Sequence, residues 1–386
     1  MRNHEALRSA VTSDVIIIGG GVIGLAIARA LALLGMKSIT LIERARIGAE
    51  ASYAAAGMLA PQAEADRPDL FFELACASRD RYPAFAHQLL EETGTDIELE
   101  TTGTLYLAFT AEDEEEIEGR YYWQTRTALP VERLTAEETR RLEPCISPEV
   151  RAALRFPLDV QVENRRLIAA LSDSIAKRGV RVLTGTDVKS LTVERGGIKG
   201  VETSRGPVQS PVVVVACGAW TSFLNFSDKA TSPVGIEPVR GQMLCFETNP
   251  RLAQHVIYSP RGYIVPRLDG RVLAGSTTEY AGFDKRVTGA GLQAITSNAL
   301  EIAPPLGGMP VVDSWAGLRP RAEDEWPVMG ASGNVSGLFY ATGHYRNGIL
   351  LAPLTAELVA DQIMTGRTSP FLDSFSPDRF DFVSAN

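Results

Sequence analysis

The stretch DVIIIGGGVIGLAIARALALLGMKSITLIER, residues 14–44, constrains the fold more than any other. A continuous apolar run over about 14–18 stops at glycines, the apolar spacing turns helical over about 22–34, and a second apolar run comes next over about 38–43. That switch of period predicts strand, helix and strand, a βαβ unit. Gly19, Gly21 and Gly24 fall at its first turn with GxGxxG spacing. The first glycine permits the tight turn, the second lets backbone approach a pyrophosphate, and the third lets helix pack on strand. Glu43 ends the second strand about 20 residues on, where a carboxylate can accept both ribose hydroxyls of an adenosine and repels a 2′-phosphate. The unit is therefore expected to bind a dinucleotide.

The residues after Glu43 favour flavin over nicotinamide. Among them is ASYAAAGML, residues 51–59, whose small side chains let backbone lie against a flat ring system and a second phosphate. A buried Ala-rich helix start is the plainer reading of those residues, and their place after the ribose carboxylate argues against it. A helical pattern runs over about 69–93, and helical and strand patterns resume over 163–216, ending in VVVVACGAW. Strand-like runs dominate 233–320 (RGQMLCFE, GYIVPRL, RVLAGST, VVDSWAGLRP) around one helical pattern at about 289–303. The end returns to strand, glycine turn and helix in GLFYATGHYRNGILLAPLTAELVADQIMTG.

Nucleotide-binding patterns thus occur at the start, middle and end, with strand-rich segments between. The expected fold is α/β (α+β overall): a Rossmann-like FAD-binding domain interleaved with a mainly antiparallel-sheet substrate domain. The expected division gives 13–95, 151–228 and 322–386 to the FAD-binding domain, and 96–150 and 229–321 to the substrate-binding domain. The charge-rich residues 111–142, with EDEEEIE at their start, read as a solvated helix face without a function.

A formal charge of −9 over 386 residues disfavours a nucleic-acid partner, which calls for a basic face. Cys76, Cys145, Cys217 and Cys245 form no CxxC pair, so neither a metal site nor a disulfide framework is suggested, and a cytoplasmic location is expected. The opening MRNHEALRSAVTSD lacks a signal-peptide core. Gly19, Gly20, Gly21, Gly24 and Arg29 interrupt the apolar run over 15–34, so no membrane span is expected there. No GxSxG or HExxH supports a hydrolase or metalloenzyme.

Three polar residues stand out in apolar surroundings. In ATGHYRNGILLAP, residues 341–353, His344, Arg346 and Asn347 sit where the chain passes from strand into helix. A charge there is costly without a partner, so Arg346 calls for an anion. Asn347 and Gly348 open the helix, whose positive end can face negative charge. His344 reads more simply as a structural turn histidine. Arg319 in WAGLRP offers a planar fork that matches a carboxylate, or else forms a salt bridge at a strand end. Tyr263 in GYIVP is either a substrate hydrogen-bonder or an ordinary half-buried strand aromatic.

Together GGGVIGLAIA, Glu43, SYAAAGMLAP, GYIVP, WAGLRP and GHYRNGILLAP resemble the FAD-dependent D-amino acid oxidase superfamily, and within it the glycine oxidases of thiamine biosynthesis. The likeness spans about 13–368. It implies non-covalent FAD and an oxidase that deaminates glycine, other small amines or D-amino acids. In such an enzyme a hydride passes to flavin N5, oxygen accepts the electrons as hydrogen peroxide, and an imine or its keto acid and ammonia are released. It also implies supply of the glycine imine for the thiazole of thiamine and, by analogy, a homo-oligomer. By the same resemblance Tyr263, Arg319 and Arg346 surround the substrate and carry the catalytic roles. Flavin contacts fall on Val22, Ile23, Glu43, Arg44, Ala51, Ser52, Ala56, Gly57, Met58 and Val188, and on His344, Tyr345, Arg346, Asn347, Gly348, Ile349 and Leu350. Thr278 stands where the family has a pocket-lining methionine, which leaves the side-chain preference open. The alternatives are an oxidase of sarcosine and other N-methyl amino acids, a D-amino acid dehydrogenase, and a flavin-binding module without catalysis. Covalent-flavin sarcosine oxidases use a cysteine near WAGLRP, and none lies beyond Cys245 here.

Overall fold

The computed structural model describes residues 11–228 and 232–380. The polar opening at 1–10, the start of the expected 229–321 segment and the last residues of the 322–386 segment lie outside them. The βαβ unit forms as the apolar periods require: strand Val15–Ile18, helix Val22–Leu33 and strand Ile39–Ile42, with both strands buried at every position. They lie in a six-stranded sheet ordered Val328–Ala331, Leu338–Thr342, Val213–Val215, Val15–Ile18, Ile39–Ile42, Arg181–Leu183. Its strands are parallel except the edge strand Val328–Ala331. Start, middle and end of the chain thus meet in one sheet. Ile18 is in register with Val215 on one side and Ile42 on the other, so these strand ends open onto one crevice.

Helix Val22–Leu33 packs against Gly348–Thr365 and Asn164–Lys177 on one face of this sheet. Gly348–Thr365 is long and apolar enough to cross a membrane, yet Ile349 through Ala356 are buried in the core, so its apolarity is accounted for by packing.

The eight-stranded sheet runs Val311–Ala322, Ile236–Glu247, Arg271–Gly275, Gly262–Pro266, Val256–Ser259, Thr104–Ala108, Ala152–Phe156, Glu132–Thr135. Every pair is antiparallel except Val256–Ser259 with Thr104–Ala108. Strand Ala152–Phe156 lies past the expected junction at 150–151 but pairs on both sides within this sheet. It lies between Thr104–Ala108 and Glu132–Thr135, antiparallel to both. Helix Gly289–Ile302 covers one face of the sheet, close to the helical pattern read at 289–303.

The helix expected over 69–93 is two, Leu70–Arg79 and Tyr82–Thr93, broken just before Pro83, which fits only the first turn of a new helix. The acidic segment forms helix Ala111–Arg126, opened by a capping box between Thr110 and Asp113. Most of it faces solvent. Arg120 does not: it is 5% exposed and its Nη1 donates to the Ala63 carbonyl at 3.1 Å.

Candidate active site

The crevice at the strand ends continues into a cleft between the six-stranded and eight-stranded sheets. Gly19 turns at φ +110°, and a Cβ there would stand 2.4 Å from the Ala216 carbonyl oxygen. Only glycine permits that closeness. Gly24 lies beneath the turn, where a Cβ would meet Gly19 O at 2.0 Å; it packs helix on strand and does not reach the cleft. Gly21, Val22 and Ile23 do reach it. Gly21 caps the helix without a side-chain hydrogen bond, and Ser52 Oγ accepts from Val22 N at 3.0 Å. The Glu43 carboxylate accepts from Gly20 N and Ala45 N, each at 2.8 Å, so it also braces the turn. Beside it the Arg44 guanidinium lies 3.7 Å from the centre of the Trp220 ring and pairs with Glu50. Ala51, Ser52, Ala56, Gly57, Met58 and Val188 line the same cleft.

A second helix start faces this space. Helix Gly348–Thr365 begins at Asn347, again with no side-chain cap, and Gly348 and Ile349 line the cleft with His344, Tyr345 and Arg346. Tyr345 holds φ +45°, a conformation that side chains larger than Asn rarely adopt, fixed by Tyr345 N donating to Pro320 O at 2.9 Å. His344 is 4% exposed, with Nε2 3.1 Å from Thr355 Oγ1, and burial pushes its pKa down to about 3. It is a neutral turn residue. Asn347 and Leu350 lie off the cleft. Leu350 is buried in the core, where its carbonyl accepts from Ser78 Oγ at 2.7 Å.

Opposite that helix start, the eight-stranded sheet supplies Tyr263 and Arg319. Arg319 lies in strand Val311–Ala322 opposite Val239, and its guanidinium occupies the space over Gly241, where a Cβ would stand 2.4 Å from Cζ. Nη1 donates to Thr277 O at 3.1 Å and Nη2 to Ser276 Oγ at 2.6 Å. No ion pair joins Arg319 to a carboxylate among the described residues, and burial pushes its pKa down. Tyr263 is 7% exposed, stacks on Tyr258 at 5.9 Å and directs its hydroxyl to Met243 Sδ at 3.4 Å. Arg346 Nη2 donates to Tyr258 OH at 3.0 Å. Thr278 does not join this group. It is exposed and off the cleft, because the chain leaving strand Arg271–Gly275 turns Ser276 Oγ and Thr277 O to Arg319 and leaves the next side chain in solvent.

Sequence reading missed Glu64. This carboxylate ends the one-turn helix Pro61–Glu64 and lines the cleft beside Arg346 and Arg319. Burial pushes its pKa up against the pull of both guanidiniums, while Glu64 in turn pushes that of Arg346 up. Nothing in AEADRPD marks Glu64 apart from its neighbours; only the folded contacts do. Met243, Gly241, Cys217 and Trp220 were also unforeseen. For Gly241 a signal existed, since glycine inside a strand often marks a close approach.

The donor set fits FAD. Two helix N-termini whose N-cap residues make no side-chain cap hydrogen bond open on one cleft, the first near the Glu43 carboxylate, and Ala54, Ala55, Ala56 and Gly57 line the same cleft. The turn at Gly19 closes to within contact of Ala216 only because no Cβ intervenes.

Comparison with known proteins agrees. The profile of the DAO family, FAD dependent oxidoreductase, matches residues 14–362. The chain is 35% identical to the glycine oxidase of Pseudomonas aeruginosa, over 94% of this chain and 97% of that protein. It is 37% identical to the bifunctional protein ThiO/ThiG of Synechocystis over 96% of this chain, and spans only 54% of that longer relative. The crystal structure of glycine oxidase from Geobacillus kaustophilus superposes with a TM-score of 0.91 at 35% identity, covering 96% of this chain and 100% of that one. The chain belongs to the FAD-dependent oxidoreductase family, with glycine oxidases among its relatives.

Proposed function

We propose that the protein is an FAD-dependent oxidase of glycine and other small amino acids, with oxygen as electron acceptor. One observation carries this reading: at the Tyr263 end of the cleft, Arg319 and Arg346 face a single carboxylate, Glu64. Two guanidiniums against one carboxylate leave this end of the cleft positive in either protonation state of Glu64, which suits a ligand with one negative charge. An amino acid whose amine is deprotonated has that charge.

Arg319 holds the substrate carboxylate with a fork already oriented by Ser276 and Thr277, so little rotamer freedom remains to be lost on binding. The Tyr263 hydroxyl, whose hydrogen bond goes to the Met243 thioether, supplies a hydrogen bond to the same ligand. Glu64 offsets the charge of Arg346, which leaves Arg319 as the anion-binding group. His344 stays uncharged near neutral pH. With no side-chain base required, the amine sheds its proton at or before binding. Bound FAD supplies acceptance of the hydride from the substrate Cα at N5 and reoxidation by oxygen to hydrogen peroxide. Its holders would be the turn at Gly19–Ile23, Glu43, residues 51–58 and the helix start at Gly348.

The residues 13–95, about 157–228 and 322 onward form the FAD-binding unit in this reading, with strand Ala152–Phe156 moved to the substrate unit. The four free cysteines suit the cytoplasm. Supply of the glycine imine to thiazole synthesis fits the names of the ThiO/ThiG relatives. A peroxide assay with glycine, sarcosine and D-alanine tests the proposal. Peroxide from glycine is expected; peroxide from none of the three overturns it.

A further inference from the structure

Glu64 can balance Arg346 only if the short segment that carries it is held still, and a one-turn helix has little means of holding itself. Its anchor comes from far along the chain. Asp159, fully buried, accepts from Gln62 N at 3.2 Å through Oδ1 and from Ala63 N at 2.9 Å through Oδ2. Both of its oxygens thus bind the start of helix Pro61–Glu64, directly behind Glu64. Gln62 is clamped as well: its Nε2 donates to Gln124 Oε1 at 3.0 Å, and Gln124 Nε2 donates back to Gln62 O at 2.7 Å.

A carboxylate at zero exposure is costly unless its hydrogen bonds have a purpose that an apolar side chain could not serve. Among the described residues Asp159 has one cation in ion-pair range, Arg79 of helix Leu70–Arg79, whose Nη1 is 3.7 Å away and whose stronger contact is to Asp80 at 2.7 Å. We propose that Asp159 is a positioning residue for the substrate cleft: it fixes segment 61–64 and so sets where the Glu64 carboxylate stands against Arg346 and Arg319. The proposal rests on reading the cleft as a carboxylate site.

The electrostatics run the same way. Burial pushes the Asp159 pKa up to about 7 against Arg79 and the two backbone donors, with Glu64 adding to the rise. A further titratable neighbour of Asp159 is Cys76, whose thiol burial pushes up to about 12, so it stays neutral. Glu64 is faced by Arg346, Arg319, Arg120 and Tyr258. Protonation of Asp159 therefore weakens the hold on segment 61–64 near neutral pH.

Acetate, a carboxylate that cannot be oxidised here, is the probe, and its binding to the holoenzyme is read from the flavin absorbance. Glu64→Gln should tighten acetate binding by about threefold or more, since Arg346 then lacks its counter-charge. Asp159→Asn should tighten it in the same direction, and should add little in the Glu64→Gln background because both act through one carboxylate. An equal effect of Asp159→Asn in both backgrounds, or none in either, overturns the proposal. If Asp159→Asn does not fold, hydrogen exchange on the unaltered holoenzyme decides. Corrected for the intrinsic rate, protection of the Gln62 and Ala63 amides should fall with pH in step with the change in acetate affinity. Protection that is absent or independent of pH overturns the proposal. Acetate binding needs no turnover, so a protein that shows the coupling and oxidises no amine refutes the oxidase reading alone.

Discussion

Arg319 donates to the Ser276 hydroxyl at 2.6 Å, a contact that aims a buried guanidinium at the cleft without neutralising it. Ser276 orients; it does not offset charge. Arg319→Ala should therefore leave the flavin spectrum intact and raise KM for glycine. A charge-assisted hydrogen bond contributes roughly 1.5–3 kcal/mol, so kcat/KM should fall about tenfold to a hundredfold. Arg319→Lys should recover little, because an ammonium lacks the planar fork. Steady-state kinetics on the purified variants decide it, and near-normal constants would return Arg319 to a structural role.

Glu43 is tied to two backbone donors of its own turn, which changes what its replacement does. Glu43→Ala should weaken FAD binding and also lower the melting temperature of the apoprotein. Leaving the Gly20 and Ala45 amides unpaired costs roughly 1–3 kcal/mol if water does not reach them. Titration of apoprotein with FAD and a melt without FAD separate the two effects. A lowered melt with unchanged FAD affinity would confine Glu43 to bracing the loop.

Cys217 lines the cleft, yet it is a poor tether. Burial pushes its thiol up to about 11, so hardly any thiolate forms near neutral pH. Acid or heat denaturation should release all the FAD into the supernatant. Yellow colour retained in the washed pellet would refute this, and Cys217→Ser would then show whether this cysteine is the anchor.

The parts of the site legible in the sequence are those whose chemistry lies within one short segment. The turn at Gly19, the carboxylate of Glu43 and the guanidiniums of Arg319 and Arg346 each announce themselves through spacing or through a charge in an apolar run. Glu64 and Asp159 could not be read this way. Gln62 and Asp159 are 97 positions apart, and each carboxylate has ordinary polar neighbours in sequence, so only folding shows that one supports the other. Thr278 fails for the opposite reason. The resemblance places it at a pocket position, but its own backbone turns Ser276 and Thr277 inward and leaves Thr278 exposed. Strand Ala152–Phe156 pairs within the eight-stranded sheet, past the junction expected at 150–151, because a short apolar run does not say which sheet it will join.

His344 gives a test that needs no substrate. Its folded pKa is pushed down to about 3 from an ordinary 6.5. Between those values the unfolded chain binds a proton that the folded protein refuses, so this contribution to stability is lost as pH falls through the window. Asp159 has the opposite sign. Its pKa is pushed up to about 7 from 3.8, so over that range the folded protein holds a proton that the unfolded chain releases, and stability is lost as pH rises. The two oppose each other between about pH 4 and 6.5. The unaltered protein should consequently show a shallower pH dependence there than either residue alone would impose. His344→Gln removes one side of the balance while keeping a partner for Thr355 Oγ1. The melting temperature of this variant, relative to the unaltered protein, should rise as pH falls from 6.5 to 4. One proton is worth at most about 1.4 kcal/mol per pH unit, which for a chain of this size gives a gap growing by ~1–2 °C per pH unit. Melts of both proteins at several pH values, at matched FAD, supply the measurement. A gap that stays constant across the range would mean that His344 is not held neutral, and that the turn before the last helix can take a proton after all.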